Sequence, residues 1–323
     1  MENRDALADV LEMLRVRGGV MAQVRAHAPW GLRVPRAPGA TFHAVTGGSC
    51  WVRMPGAEPR ELHPGDVVLL PAGAGHIVGS DVRGPAKAWD RVAKAKARNA
   101  AGEILIDGPG NSAHFICASY DYDREVAHPL LSLLPPVLFV LAHQTPEDGA
   151  VHGTLRLLRQ ELAARSAGWG TVTDRLIDIL FVHVIRAWIG AQPDRGASWL
   201  LALRDPIIAR ALAALHAEPS KEWTVEMLAD AVNLSRATLT RRFTSLVGVA
   251  PLAYLTRWRM DLAAHDLRDT DDAVSAIAHR VGYTSEFAFS RAFSRVRGRP
   301  PGRYRVEARA RATHVQPRPH LDP

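Results

Sequence analysis

The first third of the chain alternates short apolar runs with turn residues. Between about residues 20 and 120, runs such as WVRM and DVVLL are separated by MPGAEP, HPGD and PAGAGH. Strand-sized runs bounded by Gly and Pro turns predict an antiparallel sandwich or barrel. Residues 81–103 interrupt this rhythm with Ala, Lys and Arg, which predicts a solvated insertion with some helix.

The apolar period changes after HPLLSLLPPVLFV to steps of three and four residues. The recurring positions are Leu155, Leu158 and Leu162, and then Val172, Leu176, Ile179, Leu180, Val184 and Trp188. This spacing predicts two amphipathic helices. Their wide apolar face fits either core packing or a dimer seam, and the pattern leaves both open. AQPDRGASW, residues 191–199, then predicts a domain boundary.

The stretch WTVEMLADAVNLSRATLTRRF predicts a helix, a short turn and a second helix. Thr224 is the first N-cap, and Val225, Leu228, Ala229 and Val232 form the inner face. Asn233 and Leu234 make the turn, Ser235 caps the second helix, and Leu239, Phe243 and Leu246 face inward. This order is the helix-turn-helix arrangement.

A second unit, IAHRVGYTSEFAFSRAF, repeats the scheme about 50 residues later. Ser285 is the cap, Gly282 supplies a left-handed turn, and Phe289, Phe293 and Val296 face inward. PLAYLTRWRMDLAAHDL connects the units as one helix opening with Pro251 and spanning about 22 Å. Such a rod can place two recognition helices in successive major grooves, about 34 Å apart.

Charge and cysteine content narrow the class of protein. The net charge is +7, and residues 291–305 contain six arginines and no acid, which indicates an anionic partner.

No apolar run reaches the roughly 20 residues of a membrane span, and MENRDALADVLEMLR predicts an amphipathic helix rather than an export signal. We therefore expect a cytoplasmic protein without a membrane partner. Cys50 and Cys117 are interpreted as buried thiols, with redox or metal roles as the alternatives.

Residues 205–306 resemble the DNA-binding domain of the AraC/XylS family of bacterial transcription regulators. The resemblance rests on the two units above, on VGVAPLAYLTRWRMDLA between them, and on SRVRGRPPGRYR after them. It implies double-stranded DNA, RNA polymerase and a second copy of the chain as partners. It also implies base contacts at Arg236, Ala237, Thr240, Arg241, Glu286, Phe287 and Arg291. Arg257, Arg303 and Arg305 are predicted to bind phosphates.

HPGDVVLLPAGAGH resembles the second cupin motif, from Gly65 to His76, with His43 on a neighbouring strand. The resemblance implies a cupin-type sensor with an effector pocket at His43, Trp51 and His76. The first cupin motif is incomplete, because Phe42-His43-Ala44 lacks a second His and Gly47, Gly48 and Ser49 replace a carboxylate. We therefore expect no catalytic residue, no cofactor and no metal. Metal binding at His43, His76 and His114 is left open.

The predicted fold class is α+β. A cupin-like barrel occupies residues 1–130, a helical dimerisation segment 131–204, a double helix-turn-helix domain 205–306 and a disordered tail 307–323. The predicted function is an effector-controlled, sequence-specific transcription regulator. One alternative is a cupin enzyme fused to a regulatory module, and another is a general DNA-packaging protein. The effector, the promoter and the choice between activation and repression are not determined.

Overall fold

The computed structural model describes residues 6–14, 17–95, 98–99, 102–122, 134–144, 149–191 and 199–312. The predicted boundary at 191–199 and the first part of HPLLSLLPPVLFV fall largely outside these residues. The chain divides into a β-rich unit, residues 17–122 and 134–191, and a helical unit, residues 6–14 and 199–312. Each unit has its own core.

The β-rich unit contains two sheets. The six-stranded sheet has the order β11-β6-β3-β10-β1-β9, and the five-stranded sheet has the order β5-β4-β7-β2-β8. The strands are β1 (Arg17–His27), β2 (Gly31–Val34), β3 (Ala40–Gly47), β4 (Cys50–Arg53), β5 (Arg60–Leu62), β6 (Val67–Leu70), β7 (His76–Gly79), β8 (Lys87–Ala88), β9 (Glu103–Ile106), β10 (Ser112–Asp121) and β11 (Leu138–Val140). Most neighbours pair antiparallel, as the turn spacing predicted; β9 and β8 pair parallel with β1 and β2.

Alternate residues of the strands fill the space between the sheets. Val24 and Ala26 of β1 and Phe115 of β10 belong to this core, and Trp30 stacks on Phe115 with 5.3 Å between ring centroids. The segment 81–103 contains helix α2 (Trp89–Ala95), so the predicted helix is confirmed. The segment is not simply a solvated insertion, because β8 joins the five-stranded sheet and Trp89, Val92 and Ala93 pack against the core.

Two long helices cover the outer face of the six-stranded sheet, α3 (Ala150–Ala164) and α4 (Trp169–Ala191). The Tyr120 hydroxyl donates to the Ile177 carbonyl at 3.0 Å, and its ring lies 4.8 Å from that of Phe181. Leu158, Leu162 and Leu180 are fully buried. Most of the predicted apolar face is therefore core packing within the unit.

The helical unit begins with α1 (Ala6–Leu14), which packs against α6 (Pro206–Ala217). An Asp9 carboxylate oxygen lies 3.3 Å from His216 Nδ1, and the imidazole stacks on Trp258 at 3.9 Å. The helix predicted at the start of the chain is confirmed. Its contacts, however, place it with the helical unit and not with the β-rich unit to which the sequence assigned it.

The remaining helices of this unit are α5 (Trp199–Ala202), α7 (Val225–Ala231), α8 (Arg236–Val247), α9 (Pro251–Asp269), α10 (Val274–Arg280), α11 (Glu286–Arg297) and α12 (Pro301–Ala312). Thus α7 with α8 and α10 with α11 form the two predicted units. The connecting helix α9 has 19 residues and a length of about 28 Å, longer than predicted. Pro251 occupies its first turn, as expected.

The predicted helix N-caps and turn residues of both helix-turn-helix units are confirmed. The side chains of Thr224, Ser235 and Ser285 accept hydrogen bonds from the backbone N–H three residues ahead. The turn residues Asn233 and Gly282 have φ of 58° and 86°, the left-handed conformation that such turns require.

The structure corrects three predictions: the inward-facing positions Val296 and Leu246, and the start of the tail. Val296 is 38% exposed, and Leu246 is half-buried while Val247 is buried in the last turn of α8. The tail does not begin at 307, because α12 continues to Ala312 and buries Tyr304 and Ala308. Residues 313–323 lie outside the described residues. In the described part of the chain, no helix is long and apolar enough to cross a membrane.

Candidate DNA-binding surface and sensor interior

The first recognition helix, α8, separates a buried face from an exposed one. Leu239 and Phe243 are fully buried, whereas Arg236, Ala237 and Arg241 are exposed. The half-buried Thr240 donates its hydroxyl to the Arg236 carbonyl at 2.9 Å, which leaves its methyl group for an apolar contact. The predicted base-contacting positions therefore share the accessible side of the helix.

The second recognition helix, α11, has the same division. Phe289 and Phe293 are fully buried, and Glu286, Phe287 and Arg291 are exposed. Phe287 is 72% exposed, and the Arg291 guanidinium carbon lies 5.8 Å from its ring centroid. A large exposed apolar ring beside a guanidinium suits a surface that contacts base edges and thymine methyl groups.

Charge pairing separates the arginines of these helices. Arg236 forms an ion pair with Glu226 at 2.9 Å, and both side chains are more than half exposed. Within the described residues, neither Arg241 nor Arg291 has an ion-pair partner. Their guanidinium groups keep the full set of donors needed for bidentate bonding to guanine O6 and N7.

The arginine-rich stretch 291–305 is mostly committed to internal contacts. Arg297 pairs with the buried Asp261 of α9, and Arg299 and Arg303 both bond Glu307 at 2.6 Å. The sequence does not reveal these partners, because Asp261 is 36 residues away and Glu307 follows the stretch. The clustering therefore overstated the positive charge available to an anionic partner.

The predicted phosphate contacts divide accordingly. Arg305 donates to the carbonyls of Leu267 at 3.2 Å and of Asp272, and so it joins α12 to the end of α9. We correct its assignment from a phosphate contact to a structural one. Arg257 is exposed, and Arg303 is 74% exposed despite its ion pair, so both retain access to phosphates.

Three residues inside the β-rich unit form one hydrogen-bonded chain. His76 Nδ1 lies 2.8 Å from the Ala74 carbonyl oxygen, which can only accept, so this nitrogen carries the proton. His76 Nε2 must then accept from His43 Nε2, at 2.6 Å. His43 Nδ1 is left to accept from the Cys117 thiol, at 3.0 Å. Each donor in the chain has an acceptor.

Burial keeps the side chains of His43, His76 and Cys117 uncharged. Burial lowers the pKa of both histidines; the neighbouring His76 lowers that of His43 further, and the Ala74 carbonyl partly opposes the effect on His76. Burial also raises the pKa of the Cys117 thiol, and it raises that of Cys50 to about 12. Both thiols are buried, as the sequence predicted.

The same geometry opposes a shared metal ion. Cys117 and His76 bond opposite sides of the His43 ring, so one ion cannot bind all three in this arrangement. Among the residues that the structure describes, no group of three His, Cys, Asp or Glu is placed to hold a metal. His114 cannot join, because it alternates with the inward-facing Ala113 and Phe115 and so lies on the other sheet face.

The predicted effector residues are only partly brought together. His43 and His76 are 2% and 3% exposed and touch each other. Trp51 alternates with the inward-facing Cys50 and Val52, which places it on the opposite face of β4. We therefore remove Trp51 from this group, and the effector role of the histidine pair stays a prediction.

Comparison with known proteins gives two matches to protein families. A family model described as Cupin matches residues 5–190, and one described as Helix-turn-helix domain matches residues 228–307. A putative AraC-like transcription regulator of Streptomyces lividans is 38% identical over 93% of this chain and 98% of its own length. A protein of the same description from Streptomyces antibioticus is 36% identical over 93% and 98%.

Among solved structures, the DNA-binding domain of AdpA in complex with a target DNA is 36% identical. It covers 34% of this chain and 97% of its own, with a TM-score of 0.32. The Cupin match falls largely on the β-rich unit, and the Helix-turn-helix match falls on the helical unit. The chain belongs to the AraC-like transcription regulators that carry an N-terminal cupin domain.

Proposed function

We propose that this transcription regulator reads a specific DNA sequence with α8 and α11 in neighbouring major grooves. The supporting observation is the pair Arg241 and Arg291. Both are exposed, neither has an ion-pair partner within the described residues, and each lies on a capped helix whose other face is buried. A bidentate arginine contributes about 1 to 3 kcal/mol of discrimination against the wrong base.

Binding to a DNA duplex selected from random sequence tests this proposal. Arg241→Ala and Arg291→Ala should each relax preference at one base pair by about 5- to 150-fold, the equivalent of 1 to 3 kcal/mol. Arg91→Ala, an exposed arginine of α2, is the control and should change nothing. Equal affinity of the parent protein for all sequences would instead support DNA packaging.

We also propose that the regulator is a homodimer joined through α3 and α4. Leu157, Val172 and Ile179 are 51%, 42% and 45% exposed. Val172 and Ile179 are seven residues apart and therefore lie on one face of α4. Apolar residues at this spacing form the contact face of paired helices. Ile179→Glu should shift sedimentation toward the monomer. Val306→Glu, which changes an apolar residue of α12 that is 69% exposed, should not. The same monomer mass for the parent protein and both variants contradicts the proposal.

For the β-rich unit, we propose a sensory rather than a catalytic role. The closed hydrogen-bonded chain from Cys117 through His43 to His76 uses the nitrogens that an open metal site would need. A stoichiometric iron, zinc or manganese ion that is lost in the double variant His43→Ala, His76→Ala would favour the cupin-enzyme alternative. RNA polymerase is the partner that regulation requires, and transcription in vitro from a bound promoter also separates activation from repression.

A further inference from the structure

A cleft of about 460 Å³ lies on the outer face of the six-stranded sheet, beneath α3. Its sheet side includes Arg25 of β1 and His114 of β10, which alternate with inward-facing core residues. Its helix side includes Arg156 and Arg159. The cleft is thus separate from the interior that holds His43 and His76, and its volume is in the range of small-molecule sites.

Positive charge dominates this cleft. Three guanidinium groups face one carboxylate, that of Glu103, which pairs with Arg25 at 3.1 Å. Arg156 and Arg159 are one helical turn apart, and neither has an ion-pair partner in the described part of the chain. Like charges at this spacing destabilise a helix, so an anion between them would be stabilising.

His114 adds a hydrogen-bonding group without adding charge. Burial lowers the pKa of His114, Arg25, His27 and Arg159 lower it further, and Glu103 opposes them. The ring is seated against Gly47, where a Cβ atom would lie 3.3 Å from His114 Nδ1. A neutral imidazole beside two arginines can donate one hydrogen bond to a bound anion.

The rest of the cleft lining mixes apolar residues with the uncharged polar residues Gln23, Thr46 and Gln160. Ile116 of β10 and Ala163 of α3 lie along it, next to the guanidinium groups. We propose that this cleft binds a small organic carboxylate, with Arg156 and Arg159 holding the carboxylate and Ile116 and Ala163 contacting the apolar part. That this ligand is the effector rests on the proposed function, whereas its binding does not depend on DNA.

Calorimetric titration of the full chain with benzoate, octanoate and inorganic phosphate tests the assignment. We expect benzoate or octanoate to bind, and R156Q/R159Q to weaken that binding by at least about tenfold, because charge-assisted hydrogen bonds are lost. R36Q/R91Q removes two exposed arginines elsewhere in the same unit and should leave affinity unchanged. No binding of either carboxylate, binding of phosphate alone, or equal affinity in R156Q/R159Q overturns the proposal.

A second measurement distinguishes binding in the cleft from binding elsewhere. The NMR titration of His114 should move to higher pH when benzoate is present, because a bound anion offsets the arginine charges. An unmoved His114 titration with benzoate bound overturns the assignment. DNA affinity of R156Q/R159Q without any carboxylate should equal that of the parent protein. If the parent protein binds a carboxylate but shows no sequence-specific DNA binding, only the proposed DNA-reading function is refuted.

Discussion

The buried carboxyl group of Asp261 should make the second helix-turn-helix unit less stable as pH rises. Asp261 lies in α9, is 3% exposed and bonds Arg297 in the last turn of α11. Burial raises its pKa from 3.8 to about 7, although Arg297 and Arg257 act in the opposite direction. The group thus stays protonated in the folded protein where it is ionised in the unfolded chain.

The sign and the size follow from this difference. Below about pH 4 the group is protonated in both states, and its contribution to stability is complete. Between about pH 4 and 7 the free energy of unfolding falls by about 1.36 kcal/mol per pH unit, or about 4 kcal/mol in all, as an upper bound. Above pH 7 this contribution is flat.

Hydrogen-deuterium exchange of peptides from α9 and α11 measures the effect locally. Asp261→Asn is nearly isosteric and cannot ionise, so the ratio of wild-type to variant protection should fall between pH 4 and 7. Arg297→Met removes a charge that lowers the pKa of Asp261, so the fall should still begin near pH 4 but continue above pH 7. Equal pH dependence of protection in wild type and Asp261→Asn would refute the reasoning.

Three further outcomes are expected. Arg305→Ala should lower the stability of the helical unit without changing the salt dependence of DNA binding, whereas Arg303→Ala should reduce the salt slope by about 1; equal slopes for both variants would contradict this division. Ser235→Ala should lower the free energy of unfolding by about 1 kcal/mol, measured by denaturant titration against the exposed control Ser245→Ala. Because burial raises their pKa, Cys50 and Cys117 should resist iodoacetamide at pH 8 in the native protein and react in urea, with mass spectrometry as the readout.

Features set by short-range contacts were readable from the sequence. The caps Thr224, Ser235 and Ser285 each bond the backbone three residues ahead, so residue type and spacing determine them. The left-handed turn at Gly282 is likewise a property of a few consecutive residues. The apolar spacing did not predict burial correctly in the last turns of the recognition helices. Val296 and Leu246 lie there, and the fold no longer covers the predicted inner face.

Features set by distant partners were not readable. Nothing in the local pattern distinguishes Arg291, which is exposed, from Arg297, which is held by Asp261 across 36 residues. The cupin motif placed His76 correctly on the interior but did not reveal Cys117 as the third member of its chain. The cleft was missed for the same reason, since Arg25 and Arg156 are far apart in sequence and meet only when α3 covers the sheet.

The proposed dimer surface and the proposed carboxylate cleft of the β-rich unit both involve α3. One flank of this helix bears Arg156 and Arg159, which line the cleft. Leu157, between them in sequence, is exposed and is one of the proposed dimer residues. A carboxylate that binds more tightly to the dimer than to the monomer must strengthen dimerisation by the same factor, because the coupling is reciprocal. A ligand with equal affinity for both forms would leave the dimer unchanged however tightly it bound. Control of this regulator through α3 therefore requires carboxylate affinity to depend on protein concentration, and titrations above and below the dimer dissociation constant measure that dependence.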